Sequence, residues 1–217
     1  LETNLGIRMR EIGCSSYQAY YEMIVSGPDA VIEWSTLVDR LTVQETRFFR
    51  DPDAFQLVSD YVLTRPRETL KRRPLEAWSV GCSTGEEPYT LAMLLNECME
   101  GLSLQPLFGV TGSDISKPAI DKAQSGLFSA RKLMGMNDAM KARYFRPAER
   151  NNVEIVESIR ERVCFTRLNV LDLKHAPMHG MNIIFCQNLL IYFRRWRRRE
   201  IVKRLAERLA PGGLLVL

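Results

Sequence analysis

From residue 75 onward, short uninterrupted apolar runs alternate with stretches whose apolar residues recur at helical spacing. Such runs are typical of strands buried on both faces, and such stretches are typical of the helices that cover them. The predicted strands span residues 75–80, 107–112, 163–168 and 181–186, with a fifth after Gly212 and Gly213, and the predicted helices span 86–99, 117–125 and 195–209. This order predicts an α/β fold with a parallel sheet.

The first 66 residues carry helical spacing without strand alternation, in segments 16–25, 29–41 and 52–63. They predict a small helical domain at 1–66, a charged linker at 67–74 and a larger domain at 75–217. A strand-rich subdomain is expected as an insertion at about 144–162. Leu1 falls inside a helical region and the last strand stops abruptly. We therefore expect a piece of a longer protein without its last strands.

Composition narrows the class of protein. Of the 217 residues, 46% are hydrophobic, enough for a buried core, and the net charge of +4 suits an acidic partner but not a nucleic-acid-binding tail. Apolar runs are too short for membrane insertion. The five cysteines are odd in number and lack C-x-x-C spacing, so neither disulfides nor a metal site is expected. Reduced thiols favour a cytoplasmic location.

A glycine-bounded turn follows the first predicted strand of the larger domain. Gly81 and Gly85 stand in G-x-x-x-G spacing, and Glu86 and Glu87 come directly after them. Carboxylates at the start of a helix would repel a pyrophosphate but suit a ligand that carries a cation or an amine. S-adenosylmethionine has a sulfonium, an ammonium and no phosphate, so it fits this turn.

Polar residues also follow the other strands: Asp114 the second, Asn169 the third, and Gln187 and Asn188 the fourth. Ligands of open α/β sheets bind beyond the carboxyl ends of the strands, where a carboxylate can accept ribose hydroxyls. These positions together favour a nucleoside site, although each alone is also an ordinary way to begin a loop. They do not identify a methyl acceptor.

Three stretches carry a specific family resemblance: T-V-Q-E-T-R-F-F-R-D at 42–51, W-S-V-G-C-S-T-G-E-E-P-Y-T-L-A at 78–92, and I-F-C-Q-N-L-L-I-Y-F at 184–193. They resemble the interdomain segment, the cofactor loop and the fourth-strand motif of CheR-type methyltransferases. That family transfers a methyl group from S-adenosylmethionine to glutamate side chains of bacterial chemoreceptors. The resemblance implies a Rossmann-like methyltransferase sheet with a helical N-terminal domain and a small inserted subdomain.

The resemblance also implies roles for single residues. Arg50 matches an arginine near the transferring methyl, and Tyr192 a tyrosine facing the acceptor, so these two are the catalytic candidates. The positions that match cofactor contacts are Gln44, Thr46, Arg50, Gly81, Glu87, Asp114, Asn169, Val170, Gln187 and Asn188. Asp114 matches the ribose contact. Gln44 replaces the usual asparagine and Gln187 the usual arginine, which puts the contact geometry at those two positions in question.

The implied partner is the cytoplasmic helical bundle of a methyl-accepting chemoreceptor, with Arg8 and Arg10 as candidate contacts. The insertion reads P-A-E-R-N-N where many members have a glycine-rich turn, which favours an enzyme that does not dock a receptor tether peptide. The arginine-rich run 194–199 suits acidic receptor helices or nucleic acid, or is a solvated helix face. The alternatives to the enzyme are a non-catalytic cofactor-sensing or scaffolding module and a methyltransferase for another substrate.

Overall fold

The computed structural model describes residues 2–41 and 46–217. The helices are α1 Glu2–Glu11, α2 Tyr17–Ser26, α3 Ala30–Leu41, α4 Pro52–Leu63, α5 Arg67–Arg72, α6 Glu86–Gly101, α7 Lys117–Ser125, α8 Asp138–Tyr144, α9 Glu157–Arg160 and α10 Arg195–Ala206. The strands are β1 Leu75–Val80, β2 Phe108–Asp114, β3 Leu127–Ser129, β4 Phe145–Ala148, β5 Asn152–Ile155, β6 Val163–Arg167, β7 Met181–Phe185 and β8 Leu209–Val216. Short 3₁₀ turns cover Ala130–Leu133, Val170–His175 and Leu190–Tyr192.

Five parallel strands form the central sheet in the order β6-β2-β1-β7-β8. The predicted α/β class with a parallel sheet is confirmed. The middle strand β1 carries Trp78, which has no exposed surface, and its indole N–H donates to the Ser113 hydroxyl at 2.9 Å. Burial on both faces explains why these strands are continuous apolar runs.

Two strand boundaries differ from the prediction by more than one residue. Strand β2 runs to Asp114 because residues up to Asp114 pair with β6, so this carboxylate ends the strand instead of following it. Gly212 and Gly213 lie inside β8, not in a turn before it. The β7–β8 register shifts between Met181 and Ile183, which accommodates the glycines within the strand.

Helices α1, α2 and α3 pack around a small apolar cluster centred on Met9, Tyr20 and Leu37. The sequence groups α4 with them, whereas the buried face of α4 lies in the core of the central sheet. Phe55 of α4 stacks on Phe185 of β7 with ring centroids 4.8 Å apart. The packing of α4 thus ties the segment before it to the sheet.

A second, antiparallel sheet has the order β3-β5-β4. Strands β4 and β5 fall within the predicted insertion, and β3 precedes it. Phe128 of β3 and Phe145 of β4 pack edge-on against Phe48, at centroid distances of 5.0 and 5.1 Å. This small sheet therefore supports Phe48, in the described segment just before α4. Residues 67–74, predicted as a linker, include the short helix α5.

No helix within residues 2–41 and 46–217 is both long and apolar enough to cross a membrane.

Candidate active site

A cavity of about 620 Å³ opens at the carboxyl ends of the central strands, between the sheet, α3 and the segment before α4. Its size falls in the usual range for small-molecule sites. Ten of the predicted site residues line it: Thr46, Arg50, Gly81, Glu87, Asp114, Asn169, Val170, Gln187, Asn188 and Tyr192. Gln44 lies outside the described residues. One cavity thus collects positions from five separate stretches of sequence.

The turn between β1 and α6 is held in shape by Asp114. Its two carboxylate oxygens accept the backbone N–H groups of Ser83 and Ser116, at 2.8 and 2.9 Å. Ser83 has a positive φ of 49°, a strained conformation that these contacts hold in place. Each carboxylate oxygen has a second lone pair, so Asp114 can still accept hydroxyl groups from a ligand.

Gly85, which ends this turn, can only be glycine. Its φ is +98°, and a Cβ there would lie 2.7 Å from Cβ of Ala123 on α7. The absence of a side chain therefore lets α6 begin close to α7.

Glu87, in the first turn of α6, lines the cavity at depth. Its carboxylate accepts the Ser79 hydroxyl at 2.7 Å. Burial raises its pKa to about 8, although the Ser79 hydroxyl and the positive charge of Arg50 act to lower it. A carboxyl group that burial makes hard to ionise is stabilised in its charged form by a cation in the cavity.

Glu86, its neighbour, does not face the cavity. Its side chain is 1% exposed and lies against the subdomain, where Lys132 Nζ is 2.9 Å from Oε1. The Thr84 hydroxyl donates to Oε2 at 2.7 Å. Of the two carboxylates that the sequence places at this turn, only Glu87 can meet a ligand, because they point to opposite sides of the helix start.

The segment before α4 carries Thr46, Arg47 and Arg50 to the cavity wall. Phe48 between them points the other way, into the core under the small sheet. Phe49 has a φ of 51°, and its N–H donates to the Thr90 hydroxyl at 3.3 Å. This turn in the backbone separates the buried phenylalanine from the arginines, so the guanidinium of Arg50 can influence Glu87.

The segment after β7 forms the opposite wall and the mouth. Asn188 has a φ of 56°, and Leu189 lies so close to Gly81 that a Cβ on the glycine would be 3.0 Å from Cδ2 of the leucine. Ile191 and Tyr192 line the cavity yet remain 62% and 61% exposed. Two large side chains at the rim are therefore available to an incoming substrate.

Sequence reasoning missed the wall supplied by the helical domain. Trp34, Leu37, Val38 and Leu41 of α3 all line the cavity. Their i, i+3, i+4, i+7 spacing is the ordinary signature of a core-facing helix, so nothing in the sequence marked them as part of a site.

Arg8, a predicted receptor contact, takes part in an ion pair within the helical domain. Its guanidinium donates to both carboxylate oxygens of the buried Glu33, which also accepts the Tyr20 hydroxyl at 2.7 Å. This ion pair joins α1 to α3, so the partly buried Arg8 guanidinium is already engaged within the helical domain. Arg10 remains exposed.

Comparison with known proteins assigns the chain. Residues 44–217 match the family model described as the SAM-binding domain of CheR methyltransferases, where SAM is S-adenosylmethionine. The chain belongs to the CheR methyltransferase family. That match covers the cavity walls formed by the segment before α4 and by all the central strands, and the α3 wall lies outside it.

Several chemotaxis protein methyltransferases are similar to this CheR-family chain. Chemotaxis protein methyltransferase 2 of Vibrio cholerae serotype O1 is 34% identical over 205 residues, covering 93% of this chain and 68% of that protein. Its namesake in Pseudomonas aeruginosa is 32% identical over 215 residues, covering 98% of this chain and 74% of that protein. The chemotaxis protein methyltransferase of Escherichia coli K12 is 31% identical over 212 residues, covering 96% and 71%.

The cavity fits the cofactor of this family. Glu87 offers a buried carboxylate to a cationic ligand, and Asp114 offers free lone pairs to hydroxyl groups. Ile115, Leu168 and Val170 add apolar surface. A nucleoside that carries an ammonium and a sulfonium matches this combination of charge, polarity and volume.

Proposed function

We propose that this CheR-family protein methylates glutamate side chains of methyl-accepting chemoreceptors in the cytoplasm, with S-adenosylmethionine as the donor. The observation that carries the proposal is one cavity with Glu87 at its depth, Arg50 on its wall and Tyr192 at its mouth. The groups follow the order that the two substrates require, with a carboxyl that the cofactor's ammonium would ionise inside and a cation for the acceptor carboxylate nearer the surface.

The chain's own residues have to bind, orient and exclude water. The bound cofactor supplies an electrophilic methyl group on a sulfonium. A glutamate acceptor is already ionised at neutral pH, so the site needs no general base. Glu87 holds the ammonium of the cofactor, Asp114 its ribose, and Asn169 and Val170 its adenine. Thr46, Gly81, Gln187 and Asn188 complete the binding surface.

Arg50 orients the acceptor carboxylate by ion pairing, and the Tyr192 hydroxyl donates a hydrogen bond to it. Apolar groups such as Phe55, Phe185 and Leu189 line the same cavity and keep its dielectric low. In such surroundings a carboxylate and a sulfonium react more readily than in water, because their charges cancel in the transition state. Alignment then supplies most of the remaining acceleration.

The test combines binding with methyl transfer. Calorimetric titration with S-adenosylhomocysteine should show binding to the unsubstituted protein and none to Asp114→Ala. Labelled S-adenosylmethionine and a receptor cytoplasmic fragment should then yield methyl esters, which are recognised by the labelled methanol that they release in alkali. Binding of S-adenosylhomocysteine without ester formation would favour a cofactor-sensing or scaffolding module and sink the proposed activity.

Arg50→Ala separates orientation from binding. We expect the methylation rate to fall by at least tenfold, with a smaller loss of S-adenosylhomocysteine affinity, because the guanidinium acts mainly on the acceptor. Arg72→Ala, an exposed position on α5, is the matched control and should leave both unchanged. Equal losses of rate and affinity in Arg50→Ala would assign this arginine to the cofactor alone.

A further inference from the structure

Three exposed arginines lie at the start of α10, one of them at the residue just before the helix. Arg194, Arg195 and Arg199 are exposed, and among the described residues their side chains make no hydrogen bond or ion pair. By contrast, Arg197 and Arg204 both pair with Glu200, at 2.7 and 2.9 Å. The helix itself is anchored by the buried Ile201 and Leu205, so its packing does not depend on the three free arginines.

The position of these charges is unfavourable for the helix. The first turn of α10 holds three arginines and no acidic residue, and Arg194 caps it without a side-chain hydrogen bond. Positive charge at a helix N-terminus opposes the helix dipole, and like charges four residues apart, such as Arg195 and Arg199, repel each other. A local arrangement that lowers helix stability is expected where the residues serve an interaction.

This surface adjoins the mouth of the cavity. Arg198 Nε donates to the carbonyl oxygen of Phe193 at 2.7 Å, which ties the first turn of α10 to the segment that carries Ile191 and Tyr192. Trp196, in the same first turn of α10, is 58% exposed, and the guanidinium of Arg197 lies 4.2 Å from the centre of its ring. Apolar and aromatic rim residues therefore continue directly into exposed arginines.

We propose that this α10 surface, formed by Arg194, Arg195, Trp196 and Arg199, docks an acidic helical face of the methyl-accepting protein beside the glutamate being modified. The inference rests on the proposed function. A helix is about 10–12 Å across with its side chains, so one that inserts a glutamate at the mouth must also lie over neighbouring surface. An acceptor segment with several carboxylates complements the arginines there. Nucleic acid is disfavoured because, under the proposed function, the group that enters this mouth is a glutamate side chain of a protein.

The test reverses the charge of two arginines on the α10 surface and, as a control, of two arginines elsewhere on the protein. Arg195→Glu/Arg199→Glu is set against Arg72→Glu/Arg73→Glu, which makes the same change of net charge at exposed positions before β1, at the opposite edge of the sheet from the cavity. We expect the α10 variant to raise the KM for a receptor cytoplasmic fragment roughly tenfold at low salt, with a weaker salt dependence. The KM for S-adenosylmethionine and the affinity for S-adenosylhomocysteine should not change.

The possible outcomes distinguish failure of the docking surface from failure of the proposed function. An unaltered receptor KM in the α10 variant, or the same rise in the control, overturns the docking surface and leaves the proposed function standing. Loss of binding to a DNA duplex of unrelated sequence, with receptor kinetics unchanged, would make the surface a nucleic-acid site and also overturn the inference. Failure of the unsubstituted protein to methylate the fragment would remove the proposed function and the docking surface together.

Discussion

Lys132 Nζ lies 2.9 Å from Oε1 of Glu86, joining the 3₁₀ turn after β3 to the first residue of α6. The same ammonium donates to the carbonyl oxygen of Thr46 at 2.5 Å. One side chain beside the small sheet therefore contacts both the buried carboxylate at the start of α6 and a residue of the cavity wall.

Lys132→Met should loosen this arrangement. It leaves the Glu86 carboxylate buried without its cation, and we expect the free energy of unfolding to fall by about 1–3 kcal/mol. The loss is smaller than for a fully buried pair because solvent screens the partly exposed Lys132. Affinity for S-adenosylhomocysteine should fall as well, since Thr46 loses its anchor. Denaturant unfolding and calorimetry measure the two effects.

Lys141→Met is the control for Lys132→Met, because Lys141 pairs with the exposed Asp138 in the same part of the chain. The loss of unfolding free energy in Lys141→Met should stay below about 0.5 kcal/mol. Lys132→Arg should restore part of the affinity if the positive charge is what matters. Equal stability losses in Lys132→Met and Lys141→Met would show that the buried contact contributes little.

Cofactor affinity should depend on pH through Glu87. Its pKa in the free protein is raised to about 8 by burial, so at neutral pH most molecules hold the proton. A ligand ammonium favours the ionised form and lowers that pKa, so binding releases a proton and affinity rises from about pH 6 to about pH 8. Calorimetry in buffers of different ionisation enthalpy measures the released proton, and Glu87→Gln should abolish that dependence. A buffer-independent heat in the unsubstituted protein would contradict the assignment.

The same group affects the stability of the ligand-free protein. Because the folded-state pKa of Glu87 is about 8 and its ordinary value is 4.5, the folded state holds a proton that the unfolded state releases between these values. The stabilisation of the folded state by this bound proton is therefore fully present at pH values below the ordinary pKa, and it is lost as pH rises through about 8. Between these pH values the free energy of unfolding should fall less in Glu87→Gln than in the unsubstituted protein, as measured by unfolding at several pH values.

Gly85→Ala should damage the cofactor turn. The added methyl meets Ala123 at 2.7 Å and the backbone conformation has a φ of +98°, so we expect a loss of about 2 kcal/mol or more together with weakened S-adenosylhomocysteine binding. Gly101→Ala, at the other end of α6 with nothing within 4 Å of the new methyl, should be neutral or slightly stabilising. Thermal unfolding compares the two, and similar melting temperatures would contradict the role of the tight turn.

Asp114→Asn tests whether this carboxylate orders the turn. The amide can keep one of the two backbone contacts, to Ser83 or to Ser116, but not both as an acceptor. We expect at least a tenfold loss of S-adenosylhomocysteine affinity and a stability loss of about 1–2 kcal/mol. Asp121→Asn, an exposed residue paired with Lys117, should change neither. Full affinity in Asp114→Asn would remove Asp114 from the binding site.

Much of the fold was open to prediction because its signals are local. Helix α4 begins and ends where the sequence predicts, since Asp51 caps it and Pro52 takes its first position. The strands of the central sheet are buried on both faces and read as apolar runs. Strand β2 ends two residues later than predicted, because its pairing with β6 continues past the apolar run. The sequence does not show that pairing.

The candidate site was predictable where topology alone brings residues together. In a parallel sheet, residues that end neighbouring strands meet at one edge, so Gly81, Asp114, Asn169 and Asn188 could be grouped without coordinates. The motif strings added Thr46, Arg50 and Tyr192 through family resemblance. By itself, then, the sequence determined the fold class, the edge of the sheet at which the cavity opens and the family.

Tertiary structure alone decided which side chains of equal chemistry face the cavity. Glu86 and Glu87 are adjacent in sequence, yet one is held by Lys132 from a distant turn and the other lines the cavity. Arg8 pairs with Glu33, whereas Arg195 and Arg199 have no side-chain partner among residues 2–41 and 46–217, although nothing in the sequence distinguishes the three arginines. The physical reason is that burial and ion pairing depend on which elements pack together, and such long-range contacts leave no periodic signal along the chain.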